Sequence, residues 1–148
     1  MNDRLSAAAM REAFLDESAS IASILHAIAW TVKGEGLVFP EVSPSLGALE
    51  VGFDSDEIIL YFGHRGYHQH HTPDDDLTGS ALEESIRQSA REAVEFVAAL
   101  TRDQVVFRWG LLISGTYRND PPSPIRRIWR LATPWVQEAL WSGGPPPR

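Results

Sequence analysis

The feature that most constrains the fold of this chain is a pair of short apolar runs separated by a polar turn. In Leu49–Phe53 the apolar residues alternate with small or polar residues, which is the pattern of a β-strand with one buried face. Residues 54–56 have the turn-forming sequence Asp-Ser-Asp, and Ile58–Phe62 then continues as a run that is apolar on both faces. The two runs predict a β-hairpin whose second strand lies inside a sheet.

A long apolar stripe precedes this hairpin. From Met10 to Val32, apolar residues recur at steps of three, four and seven, which is the spacing of an amphipathic helix. Gly34 and Gly36 then supply a C-terminal stop. Because the stripe continues across residues 16–20, we predict one long N-terminal helix in preference to two shorter ones.

A second helix is predicted after the hairpin. Ser80 and Glu83 have the spacing of a capping box, in which the serine hydroxyl accepts from the amide of Glu83 and the glutamate reaches back. Apolar residues then recur at helical spacing, at Leu82, Ile86, Ala90, Val94 and Val97. This segment therefore predicts a helix that begins at Ser80 and ends near Leu100.

The remaining segments predict a loop and further strands. Residues 37–47 contain prolines and are interpreted as a loop. Residues 104–109 and 111–117 have strand composition, residues 125–131 are a candidate further strand, and residues 135–141 are a candidate short helix. Because neighbouring strands are joined by short turns, the predicted fold class is α+β, with an antiparallel sheet of about four to five strands packed against two main helices.

Length and composition predict one domain. The chain has 148 residues, of which 43% are hydrophobic and 22% are charged, values typical of a globular protein. We predict a single α+β domain over residues 1–141 and a flexible Pro/Gly-rich tail over residues 142–148. The sequence has neither a signal-peptide pattern nor a long apolar window, so we expect a cytoplasmic protein that does not enter a membrane.

Cysteine content and charge narrow the possible functions. The sequence has no cysteine, which excludes disulfides, thiolate metal sites and a cysteine nucleophile. Its 13 Lys+Arg and 20 Asp+Glu give a formal net charge of −7, which argues against nucleic-acid binding and favours a basic partner. The sequence contains no G-x-S-x-G, S-x-x-K or H-E-x-x-H motif, so no catalytic residue and no cofactor are predicted.

A histidine-rich segment followed by aspartates has the most distinctive chemistry in the chain. Four of the five histidines lie within residues 64–71, and three consecutive aspartates follow. If the segment is extended, His68 and His70 point to the same side, because side chains alternate along a strand. We interpret residues 64–76 as an exposed connector between hairpin and helix that contacts a partner. The candidate partner-binding residues are His64, Tyr67, His68, His70, His71, Asp74, Asp75 and Asp76.

Two alternatives to partner binding stay open for this segment. Its imidazoles and carboxylates can serve local hydrogen bonding and the positive end of the following helix, with no further function. His68 and His70, with His71 or Asp74 as a third ligand, could instead ligate a metal ion, in which case the chain is a metal-binding protein or a metal-dependent hydrolase. His26 lies beside the apolar stripe of the first predicted helix and is interpreted as a packed or half-exposed histidine and not as a ligand.

A series of short motifs runs from residue 49 to residue 117. The predicted hairpin ends in Phe-Gly at residues 62–63, Tyr-His-Gln-His follows at residues 67–70, and an amphipathic helix and a strand beginning near Val105 complete the series. This series resembles small immunity proteins of bacterial polymorphic-toxin and contact-dependent competition systems. The resemblance implies a cytoplasmic protein that binds and neutralises a cognate toxin domain without catalysis. An acidic immunity protein suits a basic toxin.

Overall fold

The structure is a computed structural model that describes residues 6–20, 30–39, 46–62, 67–109, 114–118, 137–140, 142–143 and 145–146. Within these residues the chain forms two helices, a five-stranded antiparallel sheet and a small three-stranded sheet. The helices are α1 (Ala7–Ser20) and α2 (Gly79–Thr101). The strands are β1 (Thr31–Lys33), β2 (Gly36–Phe39), β3 (Leu49–Phe53), β4 (Ile58–Phe62), β5 (Tyr67–His71), β6 (Val105–Trp109), β7 (Ser114–Arg118) and β8 (Gln137–Leu140). This arrangement confirms the predicted α+β class.

Both sheets and both helices share one apolar core. The larger sheet has the strand order β1-β2-β3-β4-β5, and the smaller sheet has the order β7-β6-β8. Helix α1 packs on α2, and Arg91 of α2 donates to the Glu17 carboxylate of α1 at 3.2 Å. Neither described helix is long and apolar enough to cross a membrane. The buried core includes Met10, Phe14, Leu37, Phe39, Val51, Leu60, Phe62, Ile86, Val97 and Phe107.

The predicted hairpin is present as strands β3 and β4. Its register places Phe53 opposite Ile58, and the amide of Asp54 donates to the Glu57 carbonyl across the turn at 2.9 Å. Every side chain of β4 except that of Tyr61 is buried. This burial confirms that the second strand of the hairpin lies inside the sheet, as its apolar sequence predicts.

The predicted long N-terminal helix is wrong in its C-terminal part. Helix α1 ends at Ser20. Residues 21–29, which include His26, lie outside the described residues. Thr31–Lys33 form strand β1, which pairs with β2 across a two-residue turn at Gly34 and Glu35. Gly34 has a φ of 63°, a left-handed conformation that glycine adopts without steric cost. The glycine thus forms a hairpin turn and does not end a helix.

Strand β2 corrects the prediction of a loop over residues 37–47. It pairs with β3, with Val38 opposite Glu50, and residues 40–45 lie outside the described part of the chain. Leu37 and Phe39 point into the core and are buried. The alternation of buried and half-buried residues in β2 covers only four residues and is followed by prolines, so the sequence does not predict a strand there. A strand this short is stabilised by pairing with its neighbour and not by its own sequence.

Helix α2 confirms the predicted second helix and its apolar face. Its buried residues include Leu82, Ile86, Ala90, Val94 and Val97. The predicted capping box is wrong, because the helix begins at Gly79 with Thr78 as its N-cap and no side-chain cap hydrogen bond. Ser80 therefore lies within the first helical turn, two residues beyond the N-cap position.

The C-terminal region combines confirmed and corrected predictions. Strands β6 and β7 confirm the two strands predicted after α2. Gln137–Leu140 form strand β8 beside β6, which corrects the short helix predicted for residues 135–141. Pairing with β6 and burial of the last two residues of β8 override the helical preference of the local sequence. The strand predicted at residues 125–131 lies outside the described residues. In the predicted tail, the amide of Ser142 donates to the Asp103 carboxylate at 2.9 Å.

Candidate functional site

Residues 67–71, half of the described part of the predicted connector over residues 64–76, form a β-strand. Tyr67–His71 form β5, which pairs with β4 so that His68 lies opposite Tyr61 and His70 lies opposite Ile59. This corrects the predicted exposed connector for residues 67–71, whereas residues 72–76 do connect the sheet to α2. The apolar strand β4 requires a neighbour on both sides, and the extended histidine segment supplies one of them. His64 lies outside the described residues.

The outer surface of β5 carries the exposed histidines. His68 and His70 point to the same side, as expected for an extended segment, and their ring centroids are 4.9 Å apart. The Tyr61 ring is 43% exposed and lies 6.4 Å from the His68 ring. The Nδ1 of His70 donates to the Glu57 carboxylate at 2.6 Å, because an ionised carboxylate can only accept. We call Glu57, Tyr61, His68 and His70 the histidine face.

A glycine makes room for the tyrosine of the histidine face. A Cβ atom added at Gly52 would lie 3.1 Å from Cε2 of Tyr61, so the ring lies close above the backbone of β3. Gly52 pairs with Ile59, which is buried although its side chain points to the outer surface. The histidine face therefore has an aromatic and partly apolar floor on which a protein partner can pack.

The inner surface of β5 carries Tyr67, Gln69 and His71. Tyr67 contributes to the core: its ring lies 6.3 Å from that of Phe107, and its hydroxyl is 3.2 Å from the Thr116 hydroxyl on β7. Tyr67 therefore joins the two sheets. Of the predicted partner-binding residues, Tyr67 and His71 face inward, whereas His68 and His70 face outward.

His71 is a buried histidine with an unusual environment. The residue is 7% exposed, and its Nδ1 lies 4.0 Å from the Glu92 carboxylate on α2. Its Nε2 is buried with no hydrogen-bond partner. The Oε1 of Gln69, on the same strand, is also buried without a hydrogen-bond partner. Burial lowers the pKa of His71 below its ordinary value; the Glu92 charge opposes this shift and the neighbouring His70 adds to it.

We predict that His71 makes the protein less stable in mild acid. Because burial lowers the pKa of His71 in the folded state, the unfolded chain binds more protons once the pH falls below about 6.5. The stability that neutral His71 contributes is therefore complete above that pH and is lost as the pH falls. The loss is at most about 1.4 kcal/mol per pH unit for one proton.

Urea unfolding at about pH 7.5 and about pH 5.5 measures this loss. The variant His71→Leu should lose less stability than the wild type between the two pH values. The variant His68→Gln, which changes an exposed imidazole on the outer surface of the same strand, should behave like the wild type. Equal acid sensitivity of His71→Leu and the wild type would show that other groups cause the pH dependence.

Carboxylates collect at one end of the five-stranded sheet. His71, the last residue of β5, pairs with Ile58, the first residue of β4, so the β3–β4 turn and the segment after β5 lie at the same end. We call the carboxylate residues at this end of the sheet the acidic end; they are Asp54, Asp56, Glu57, Asp74, Asp75 and Asp76. All of them are exposed except Glu57, which is half-buried.

The three consecutive aspartates are held in a turn before α2. The Asp74 amide donates to the Ser85 hydroxyl at 2.8 Å, and the Asp76 amide donates to the Asp74 carboxylate at 3.1 Å. Oxygen atoms of Asp74, Asp75 and Asp76 lie within 4.8 Å of one another, and all three residues are exposed. This position also places their negative charge near the positive end of the α2 dipole.

The structure does not bring the three histidines of the alternative metal site together. His68 and His70 lie on the outer surface of β5, whereas His71 lies on the inner surface, 6% exposed at its side chain. Among the described residues, the three aspartates are the set of three candidate ligands whose donor atoms lie within 4.8 Å of one another. A site with all three histidines is therefore not formed.

A small apolar cavity lies where the two sheets meet. Its volume is about 10 Å³, and its lining includes Leu46, Phe62, Tyr67, Phe107 and Trp109. Pockets for small molecules usually have volumes of about 300 Å³ or more. This cavity is therefore a packing defect of the core and does not hold a substrate.

Three residues of the site were not predicted from the sequence. Glu57 and Tyr61 belong to the predicted hairpin, where they were assigned to the turn and to the buried strand and not to a site. Gln69 lies between two histidines and was not predicted as a site residue. The alternation Leu60-Tyr61-Phe62 is a signal that could have placed Tyr61 on the outer surface. Its position beside His68 depends on the β4–β5 register, which the sequence does not specify.

No protein-family model, no curated protein and no solved structure matches this chain. The resemblance to immunity proteins therefore stays a prediction from short motifs. The function is inferred from the geometry and charge of the site.

Proposed function

We propose that this protein is an immunity-type protein, which binds and neutralises a cognate bacterial toxin domain by direct contact and has no catalytic step of its own. The observation that carries the proposal is the position of the histidine face, which spans edge strand β5 and its neighbour β4, beside the acidic end. An exposed surface with aromatic rings, imidazoles and a border of charge has the composition of a protein interface. The resemblance to immunity proteins adds the kind of partner.

The charge distribution supports a basic partner. The chain has a net charge of −7, and the acidic end concentrates carboxylates next to β5. Such a field raises the rate at which an oppositely charged protein arrives, and it orients that protein toward the acidic surface. A basic toxin would therefore approach at the acidic end, next to the histidine face.

The histidine face supplies short-range contacts for such a partner. Tyr61 offers a partly exposed ring held by close approach to Gly52, so little conformational freedom is lost when it is covered. His70 is held by the Glu57 carboxylate, which fixes the orientation of its ring. A preoriented surface of this kind favours tight binding without rearrangement of the protein.

We predict a stable complex between this protein and the product of the neighbouring gene. Coexpression of the two proteins with an affinity tag on one, followed by size-exclusion chromatography, should yield a stoichiometric complex with a dissociation constant below about 1 μM, or about −8 kcal/mol. The variant Tyr61→Ala should weaken the complex, whereas Glu12→Ala on α1, also an exposed residue, should not. Absence of any complex at micromolar concentration and low salt would contradict the proposal.

The alternative function is metal binding, alone or as part of a metal-dependent hydrolase. It would have to use His68 and His70 without His71, and it stays a prediction. Elemental analysis of protein purified without a histidine tag tests it. Stoichiometric zinc, nickel or copper would favour metal binding, and metal well below one equivalent would remove it.

A further inference from the structure

The two edges of the five-stranded sheet differ in how they are protected. Edge strand β1 has three residues and carries Lys33, and short strands with lysine are features that prevent other strands from pairing. Edge strand β5 has five residues and contains neither lysine nor arginine nor proline. Among the strands that the structure describes, β5 pairs with β4 alone. It is the less protected of the two edges.

Strand β5 also carries two buried acceptors with no partner. Oε1 of Gln69 and Nε2 of His71 are buried without a hydrogen bond, and the two residues are two positions apart on the inner surface of the strand. Leaving a buried polar atom without a hydrogen bond is destabilising. An added strand would place its own side chains directly opposite these two residues, at Cβ distances of about 4.5–5.5 Å.

Unpaired acceptors require a partner with donors. Carbonyl oxygen accepts only, and neutral imidazole accepts at Nε2 when Nδ1 carries the proton, as the nearby Glu92 carboxylate favours for His71. Hydroxyl and amine side chains supply such donors. Lysine and arginine also complement the acidic end, which lies where β5 finishes.

We infer that an extended, basic segment of the partner protein adds to β5 as a sixth strand, with donor side chains facing Gln69 and His71. The inference rests on the proposed function for the identity of the partner. Main-chain hydrogen bonds would supply affinity in this mode of recognition, and the two acceptors would supply specificity. A second copy of this chain fits less well, because each copy carries a net charge of −7.

The test uses the whole protein and synthetic peptides, with amide hydrogen exchange as the readout. The main probe is a short peptide in which Lys and Thr alternate; one control replaces Lys with Glu, and a second replaces Thr with Pro to remove strand-forming amides while keeping the charge. At millimolar peptide and low salt, the Lys/Thr peptide should slow exchange of alternate β5 amides by about tenfold or more. Neither control peptide should slow the exchange of the β5 amides.

Variants separate strand addition from electrostatic attraction. Gln69→Leu removes one acceptor without leaving an unpaired group, and it should weaken binding of the Lys/Thr peptide about fivefold, which is the effect of one hydrogen bond. Val32→Thr on the opposite edge strand should leave binding unchanged. Unchanged β5 exchange with the Lys/Thr peptide, or equal protection by the Lys/Pro peptide, would overturn the inference. Protection of β5 by self-association at high protein concentration would also overturn it, in favour of a dimer.

The inference and the proposed function fail separately. A toxin complex in which the β5 amides stay unprotected would leave the proposed function standing and remove strand addition. Protection of β5 by the Lys/Thr peptide without any toxin complex would support strand addition and remove the toxin as the partner.

Discussion

Replacing Phe62 with alanine is expected to lower the free energy of unfolding by about 3–5 kcal/mol. Phe62 is 2% exposed at the end of β4. Its ring lies 4.8 Å from that of Phe107, 5.4 Å from that of Tyr67 and 6.5 Å from that of Phe96. These neighbours come from both sheets and from α2, so they cannot all move to fill the cavity that the substitution leaves.

The adjacent residue provides a matched control. Tyr61 lies on the same strand but points outward and is 43% exposed. Tyr61→Ala should therefore lower the free energy of unfolding by about 1 kcal/mol or less. Urea unfolding followed by circular dichroism measures the free energy of unfolding of both variants. The total free energy of unfolding of a typical domain is only about 5–15 kcal/mol, so the expected difference is large. Equal losses in the two variants would contradict the assignment of inner and outer faces on β4.

The fold could be predicted where the local sequence and the tertiary structure agree. The β3–β4 hairpin combines alternation with a turn that closes through Asp54, and α2 combines more than five turns of periodicity with a buried face. Strands β1, β2 and β8 were missed because each is only three or four residues long. A strand of that length is stabilised by its neighbours, and its neighbours are distant in sequence.

The candidate site could be predicted only in part for a related reason. Composition alone identifies the histidine segment, and alternation places His68 and His70 on one side. The sequence does not reveal that β5 joins the sheet, so it cannot separate the inward His71 from the outward pair or bring Tyr61 to His68. The metal site with three histidines was predicted because the histidines were treated as one cluster. The alternation of side chains along β5 places His71 on the opposite surface from His68 and His70.

Reversing three charges at the acidic end is expected to slow association with a basic toxin by about 10–100-fold at low salt. The variant combines Asp56→Lys, Asp75→Lys and Asp76→Lys, all exposed residues. Asp54 and Asp74 are kept, because their carboxylates accept backbone hydrogen bonds within turns. The effect should shrink as salt rises, because the Debye length falls to about 8 Å at physiological ionic strength. Stopped-flow association rates over a salt series measure it.

A second variant with the same net charge tests whether position matters. Glu12→Lys and Asp16→Lys on α1, with Glu95→Lys on α2, also change exposed residues, and each reversal adds two charges, so both variants move from −7 to about −1. If the acidic end orients the partner, this control should slow association much less than the first variant does. Equal slowing would show that the toxin responds only to total charge, and the acidic end would then have no part in directing it to β5.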